Sequence, residues 1–122
     1  MTELIDLGGP GLPQQYLTAA YGGILLNAIH SLDHATHLSQ IQVSVVAGHL
    51  SNKFWGREVP DSGDVTLAGQ NYRAQDFWRW HKEFPSNLYR TIISGSNGKI
   101  IIDGFNQVTA ITDQGTQTIS YH

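Results

Sequence analysis

The strongest constraint on the fold of this chain is a hairpin pattern in its C-terminal third. Residues 89–94 and 99–103 are rich in β-branched side chains and flank the segment Gly95-Ser96-Asn97-Gly98. Asn-Gly supplies the left-handed backbone conformations that a tight hairpin turn needs, and the flanks favour strands. The pattern therefore predicts two paired antiparallel strands.

Three further segments have strand patterns. Residues 65–68 and 72–74 flank the turn Gly69-Gln70-Asn71, and residues 108–112 and 116–120 flank Asp113-Gln114-Gly115. Residues 41–47 alternate with a period of two, which is typical of a strand with one core face. We expect a mainly β fold of five or six strands, an antiparallel meander that forms a sandwich or a partly open barrel. The alternative is an α+β fold in which a helix covers one sheet.

The N-terminal half is less regular. Glycine and proline are dense in residues 7–13, which predicts an extended N-terminal arm over residues 1–15. Within residues 16–50 we expect a short helix near residues 24–35, followed by the strand over residues 41–47. The helix would have Leu25, Ile29 and Leu32 on one face. Residues 24–29 could instead form a buried strand. Residues 51–63 have loop composition, and residues 64–122 form the hairpin-rich region. A chain of 122 residues is expected to be a single domain, 1–122.

Charge is sparse and uneven. Only 14% of the residues are charged, against about 25% in an average soluble protein, and all seven Lys and Arg residues lie between Lys53 and Lys99. A long segment without cations suggests a surface covered by another subunit, although uncharged polar side chains could also solvate it. The net charge of −3 argues against nucleic acid as the main ligand.

The sequence also limits the compartment and the cysteine chemistry. With no cysteine there is no disulfide framework, thiolate nucleophile or Cys-based metal site. The apolar stretch from Tyr16 to Ile29 is too short to span a bilayer, and the N-terminus lacks the cationic start of a signal peptide. We therefore expect cytoplasmic synthesis and no membrane partner.

His30, His34 and His37 form one candidate site. On a helix, spacings of four and three place the three imidazoles on one face, where they could bind a divalent metal such as zinc. Three ligands this close on one helix would strain tetrahedral coordination. The alternative is a site made of two of these histidines and one distant ligand, either His49, His81 or Asp76. The structural alternative is that these histidines bind no metal, since no metalloprotease motif accompanies them.

A second candidate site is aromatic. A strand over residues 76–84 would place Trp78 and Trp80 on one face and Phe77, Arg79 and His81 on the other. Exposed Trp55, Trp78 and Trp80, with Arg79, could bind a sugar ring, another ligand or a protein partner. The alternative is that these tryptophans form the core.

Motifs for catalysis are absent from the sequence. It contains neither G-x-S-x-G nor G-x-G-x-x-G, and Asp61, Asp64, Asp76 and Glu83 have no spacing that demands an acid–base pair. We therefore expect no nucleotide cofactor and favour a non-enzymatic structural protein. It would assemble as a homo-oligomer with other protein subunits, as in a virion tail, fibre or capsid decoration. The alternatives are a carbohydrate- or ligand-binding β module that uses the tryptophans, and a small metal-dependent enzyme that uses the histidines.

Overall fold

The computed structural model describes residues 2–39, 44–104 and 106–121, and only the backbone of residues 38 and 39. It contains a short 3-10 helix (Gln14–Leu17), a helix α1 (Leu25–Ser39) and eight strands. The strands are β1 (Thr2–Gly8), β2 (Ser44–Ser51), β3 (Ser62–Gly69), β4 (Tyr72–His81), β5 (Ser86–Gly95), β6 (Gly98–Asp103), β7 (Gln107–Thr112) and β8 (Gly115–Ser120).

All eight strands belong to one open sheet in the order β2-β3-β4-β1-β5-β6-β7-β8. The pair β1–β4 is parallel, and every other pair is antiparallel. The prediction of a mainly β fold is confirmed. The sheet closes into neither a sandwich nor a barrel. It is a single layer with α1 on one face, as in the alternative arrangement of one sheet covered by a helix.

The three hairpins predicted from turn chemistry are present. They are β3–β4, β5–β6 and β7–β8. Asn71 adopts a φ of 57° in the first turn, and Gly98 and Gly115 have φ values of 147° and 123° in the other two. Local turn chemistry therefore determines these pairings.

The predicted N-terminal arm is wrong for residues 2–8. These residues form β1, which lies in the middle of the sheet between β4 and β5. Ile5 is 2% exposed, so the strand contributes to the core. The Gly/Pro-dense segment begins only where β1 ends, at Gly8, and it leads into the 3-10 helix.

Helix α1 confirms the predicted helix over the alternative buried strand, but with a different buried face. The side chains of Ile24, Ala28, Ser31 and Ala35 are at most 1% exposed. Their spacings of four, three and four residues form one helical stripe. Leu25 and Ile29 of the predicted face are exposed instead. Leu32, the third residue of the predicted face, is partly buried against the core. The small side chains of Ala28, Ser31 and Ala35 allow the helix to lie close to the sheet.

The 41–47 strand prediction lies partly outside the described residues, which resume at Ser44. Strand β2 begins there and forms an edge of the sheet, paired only with β3. Val45 and Val46 are more than half exposed, so the expected core face is absent from the described part of this strand. In the described part of the chain, no helix is long and apolar enough to cross a membrane.

The sheet has two distinct faces. The face that contacts α1, here called the helix face, carries Ile5, Ala74, Trp78 and Trp80, all at most 3% exposed. The opposite face, here called the open face, carries Leu4 and Phe77, which lie next to each other on β1 and β4. No helix of the described residues covers the open face.

Candidate functional site

A cavity of about 390 Å³ lies between α1 and the helix face of the sheet. We call it the α1 pocket. Its wall on the helix is polar and consists of Asn27, His30, Ser31 and His34. Spacings of three, one and three residues place these four side chains on one stripe of α1. The sheet side of the pocket is formed by Glu3, Ile5, Tyr89, Thr91, Ile102 and Gly104.

Two carboxyl groups are buried beside this pocket. Glu3 on β1 and Asp76 on β4 are directly paired in the sheet register and have exposures of 8% and 0%. Ser31 Oγ donates a hydrogen bond to Asp76 Oδ2 at 2.7 Å. Both carboxyl groups are therefore close to the helix wall of the pocket, and Glu3 is itself a lining residue.

Burial changes the ionisation of both groups. The pKa of Asp76 is raised to about 7, chiefly by burial; the Ser31 hydrogen bond opposes this increase, and the negative charge of Glu3 adds to it. Burial also raises the pKa of Glu3, opposed by its hydrogen bond and charge interaction with His34. Removal from water disfavours the charged form of a carboxyl group. The pair therefore retains a proton at pH values where exposed carboxylates have lost theirs.

The predicted histidine cluster separates into two parts. His30 and His34 line the α1 pocket, and His34 Nδ1 lies 3.2 Å from Glu3 Oε1. His37 is exposed and is not among the lining residues. Across residues 2–39, 44–104 and 106–121, no group of three or more His, Asp or Glu side chains is arranged to hold a metal ion. His30, His34 and His37 therefore do not form the predicted three-ligand cluster in this structure.

The predicted tryptophan surface is not available to a ligand. Trp78 and Trp80 are 3% and 1% exposed and belong to the core beneath α1. Trp55 is half-buried, and its Nε1–H donates to the Trp80 carbonyl at 2.8 Å. Arg79 lies on the open face in an ion pair with Asp6 at 3.0 Å. The strand alternation was predicted correctly, but its tryptophan face points into the protein because this is the face that α1 covers.

The remaining acidic candidates have separate positions. Asp61 is fully buried in the β2–β3 loop, where Oδ2 accepts the Trp55 backbone N–H at 2.7 Å. Asp64 pairs with His49 at 3.2 Å near the sheet edge. Only Asp76 adjoins the α1 pocket, so the predicted carboxylates do not converge with one another.

Most of the residues that form the α1 pocket were not predicted from the sequence. Asn27 and Ser31 could have been found, because they share a helical stripe with His30 and His34. Glu3 could not, because its segment was interpreted as an arm. Its position beside Asp76 depends on a parallel pairing between residues more than seventy positions apart.

A second cavity, of about 730 Å³, lies on the open face. Its apolar lining includes Leu4, Phe54, Phe77 and Ile92, and its cationic side chains are Lys53, Arg79 and Arg90. Arg79 and Arg90 are already paired with Asp6 and Asp103. This cavity contains none of the buried acidic groups described above.

Sequence comparison identifies no family, since no family model and no curated protein matches the chain. Solved structures do match its fold. A dehydrogenase from Clostridium difficile aligns with a TM-score of 0.75 and 14% identity, over 100% of this chain and 38% of its own. Levoglucosan dehydrogenase in complex with NADH and levoglucosan gives 0.73 and 18%, over 99% and 39%.

A third structure, an oxidoreductase from Agrobacterium radiobacter in complex with NAD+, L-tartaric acid and magnesium, gives a TM-score of 0.71 and 14% identity, over 98% of this chain and 37% of its own. The chain thus spans less than two fifths of the length of each of these enzymes. They share its fold.

These similarities correct two expectations. The fold is that of part of several dehydrogenases, so the prediction of a structural virion component is wrong. The expectation of no nucleotide cofactor is also wrong as a conclusion from missing motifs, because two structures that contain this fold are complexes with NADH or NAD+.

The start of α1, however, lacks the arrangement that usually holds a pyrophosphate. Pyrophosphate is usually held by free N–H groups at a helix N-terminus after a glycine-rich turn. At the start of α1 the Ile24 N–H donates to the Pro60 carbonyl at 2.8 Å, and the Leu26 and Asn27 N–H groups donate to the Gly23 and Ile24 carbonyls. These donors are already used within the chain, and the G-x-G-x-x-G motif is absent.

Proposed function

We propose that this chain forms the substrate-binding part of an NAD(P)-dependent oxidoreductase and that the α1 pocket holds the substrate. The observation that carries the proposal is the fold match, which covers at least 98% of this chain but only 37–39% of three dehydrogenases or oxidoreductases. Enzymes of this kind need a site for the nucleotide and a site for the substrate. The start of α1 lacks a pyrophosphate-binding arrangement, and the α1 pocket has a polar wall, so substrate binding is the role that we assign to this chain.

The α1 pocket has the chemistry that a hydroxylated substrate needs. Asn27, His30, Ser31, His34 and Thr91 offer donors and acceptors on its polar side. Ile5 and Ile102 provide apolar contacts for carbon-bound hydrogens on the other side. A mostly apolar concave site with a few convergent polar groups is typical of small-molecule binding.

Binding to the 122-residue chain tests this proposal. Calorimetric titrations would use levoglucosan, L-tartrate and NADH, because these or their oxidised forms accompany the structural neighbours. We expect at least one of the two small hydroxylated ligands to bind, and NADH not to bind. His30→Ala and Asn27→Ala should weaken that binding, whereas His37→Ala, on the same helix but outside the pocket, should not.

Two results would contradict the proposal. If neither hydroxylated compound binds, the α1 pocket is not a site for small hydroxylated substrates and the proposed function fails. If NADH alone binds and the pocket variants do not weaken it, the chain would hold a nucleotide elsewhere.

A further inference from the structure

His34 and Glu3 form a paired unit in the wall of the α1 pocket. Glu3 Oε1 lies 3.2 Å from His34 Nδ1, and the two side chains are 10% and 38% exposed. Glu3 comes from the central strand β1 and His34 from α1, so the contact joins the sheet to the helix. The carboxylate is the buried member, and the imidazole is the member that reaches the surface of the pocket.

This contact selects one form of the imidazole ring. A carboxylate can only accept hydrogen bonds, so an ionised Glu3 requires the proton of a neutral His34 to be on Nδ1. Nε2 is then left with a lone pair and acts as an acceptor. Burial of Glu3 within β1 fixes its position, and a fixed carboxylate orients a histidine ring more strongly than water does.

The charges near the pocket favour a particular class of ligand. Among the described residues, no Lys or Arg side chain lines the α1 pocket, while Glu3 lines it and Asp76 lies directly beside Glu3. Glu3 Oε2 and Asp76 Oδ1 are buried without a hydrogen-bond partner among the described residues. An anionic ligand would meet the Glu3 carboxylate without a Lys or Arg side chain to offset it, whereas a neutral hydroxyl group can donate to Nε2.

We propose that His34, oriented by Glu3, is a specificity-determining residue that accepts a hydrogen bond from a hydroxyl group of the substrate and so selects neutral hydroxylated ligands over carboxylates. His34 contacts the ligand in this arrangement, and Glu3 is a positioning residue. The inference rests on the proposed function, because it assigns a ligand class to the same pocket.

Levoglucosan and L-tartrate provide a neutral and an anionic probe. The wild-type chain should bind levoglucosan at least roughly tenfold more tightly than L-tartrate, since like charges in a buried site cost more than a hydrogen bond gains. His34→Phe keeps an aromatic ring but removes both nitrogens, and it should weaken levoglucosan roughly tenfold. His37→Phe is the matched control and should leave the affinity unchanged.

The Glu3→Gln variant tests whether Glu3 positions the His34 ring or only supports the fold. The amide no longer fixes the tautomer of His34 and carries no charge, so levoglucosan should bind more weakly and L-tartrate more tightly. A variant that is merely misfolded would weaken both ligands. Nitrogen-15 NMR of the wild type should show His34 protonated on Nδ1, and the Glu3→Gln variant should show a mixture of tautomers.

The outcomes distinguish this inference from the proposed function. If neither ligand binds, the proposed function fails and this inference fails with it. If levoglucosan binds but His34→Phe has no effect, or if L-tartrate binds equally well, only the specificity role is overturned. A wild-type His34 protonated on Nε2 would also overturn it, and this measurement needs no variant to fold.

Discussion

Asp76 lies within β4 with no solvent exposure, beside another carboxyl group and against a helix. Its pKa is raised from 3.8 to about 7, chiefly by burial. A carboxyl group with a higher pKa in the folded than in the unfolded state binds extra protons when folded. The free energy of unfolding therefore decreases as pH rises from about 4 to about 7, and the loss is complete above that range.

Replacement of Asp76 by Asn should remove this pH dependence. The amide oxygen can still accept the Ser31 hydroxyl, but the side chain cannot ionise. Between pH 4 and 7.5 the wild type should lose roughly 3–4 kcal/mol of stability relative to Asp76→Asn. Urea unfolding followed by circular dichroism at several pH values measures the difference.

Asp64→Asn is the control for this prediction. Asp64 lies on the neighbouring strand β3 with a side chain that is 45% exposed. Its replacement should leave the slope of stability against pH close to that of the wild type. Parallel pH profiles for the wild type and Asp76→Asn would show that folding does not raise the pKa of Asp76.

The junction before α1 gives a prediction at the level of a secondary-structure element. Gly22 and Gly23 have φ values of 78° and 64°, so a side chain at either position is strained. A Cβ atom at Gly23 would lie 2.2 Å from the Pro60 carbonyl oxygen, whereas nothing lies within 4 Å of one at Gly22. The Pro60 carbonyl also accepts the Ile24 N–H, so a clash there would displace the start of α1.

Gly23→Ala should therefore be much more harmful than Gly22→Ala. We expect Gly22→Ala to cost about 1 kcal/mol, from backbone strain alone. Gly23→Ala should cost about 3 kcal/mol or more and should weaken ligand binding in the α1 pocket as well. Equal losses of stability in the two variants, measured by urea unfolding, would contradict the role of the Pro60 contact.

The two faces of β4 give a second prediction at this level. Trp78 is 3% exposed on the helix face, and its neighbour Phe77 is 39% exposed on the open face. Trp78→Ala leaves a large cavity under α1 and should cost about 3–5 kcal/mol. Phe77→Ala should cost about 1 kcal/mol. Similar losses in urea unfolding followed by circular dichroism would show that the two faces are not energetically distinct.

Local sequence patterns predicted the three hairpins, whose paired strands are neighbours in the sequence. The turns at Asn71, Gly98 and Gly115 each join neighbouring strands, so the sequence beside each turn contains enough information to identify a hairpin. Strand β1 differs, because its partners β4 and β5 are more than seventy residues away. Only the folded sheet brings them together, and the Gly/Pro-dense segment that follows suggested an arm.

The residues around the α1 pocket were also predicted where they depend on local spacing and not where they depend on long-range packing. The spacing of His30 and His34 predicted that they share a helix face, and both line the α1 pocket. The alternation of residues along β4 assigns Trp78 and Trp80 to the same face of the strand. It does not show which face of the sheet is covered, so it could not predict whether these tryptophans are buried. That depends on where α1 packs, and α1 packs through Ala28, Ser31 and Ala35, whose small side chains carry little hydrophobic signal.

For the whole molecule, self-association stays a prediction, and the open face of the sheet is the surface that we assign to it. Leu4, Phe77 and Ile92 line an apolar groove there. The same face carries the ion pairs Arg79–Asp6 and Arg90–Asp103, so it presents both signs of charge. A surface of this kind can be self-complementary across a two-fold axis, as most homodimer interfaces are.

We therefore expect the chain to form a dimer whose dissociation is visible by sedimentation velocity across a micromolar concentration series. Phe77→Glu would bring two carboxylates together at the centre of the apolar contact and should shift the chain toward monomer by at least roughly tenfold in the dissociation constant. Phe84→Glu is the matched control, since Phe84 is 60% exposed in the connection between β4 and β5. A wild-type chain that stays monomeric throughout, or a dimer that Phe84→Glu disrupts as much as Phe77→Glu, would mean that copies of this chain do not pair through the open face.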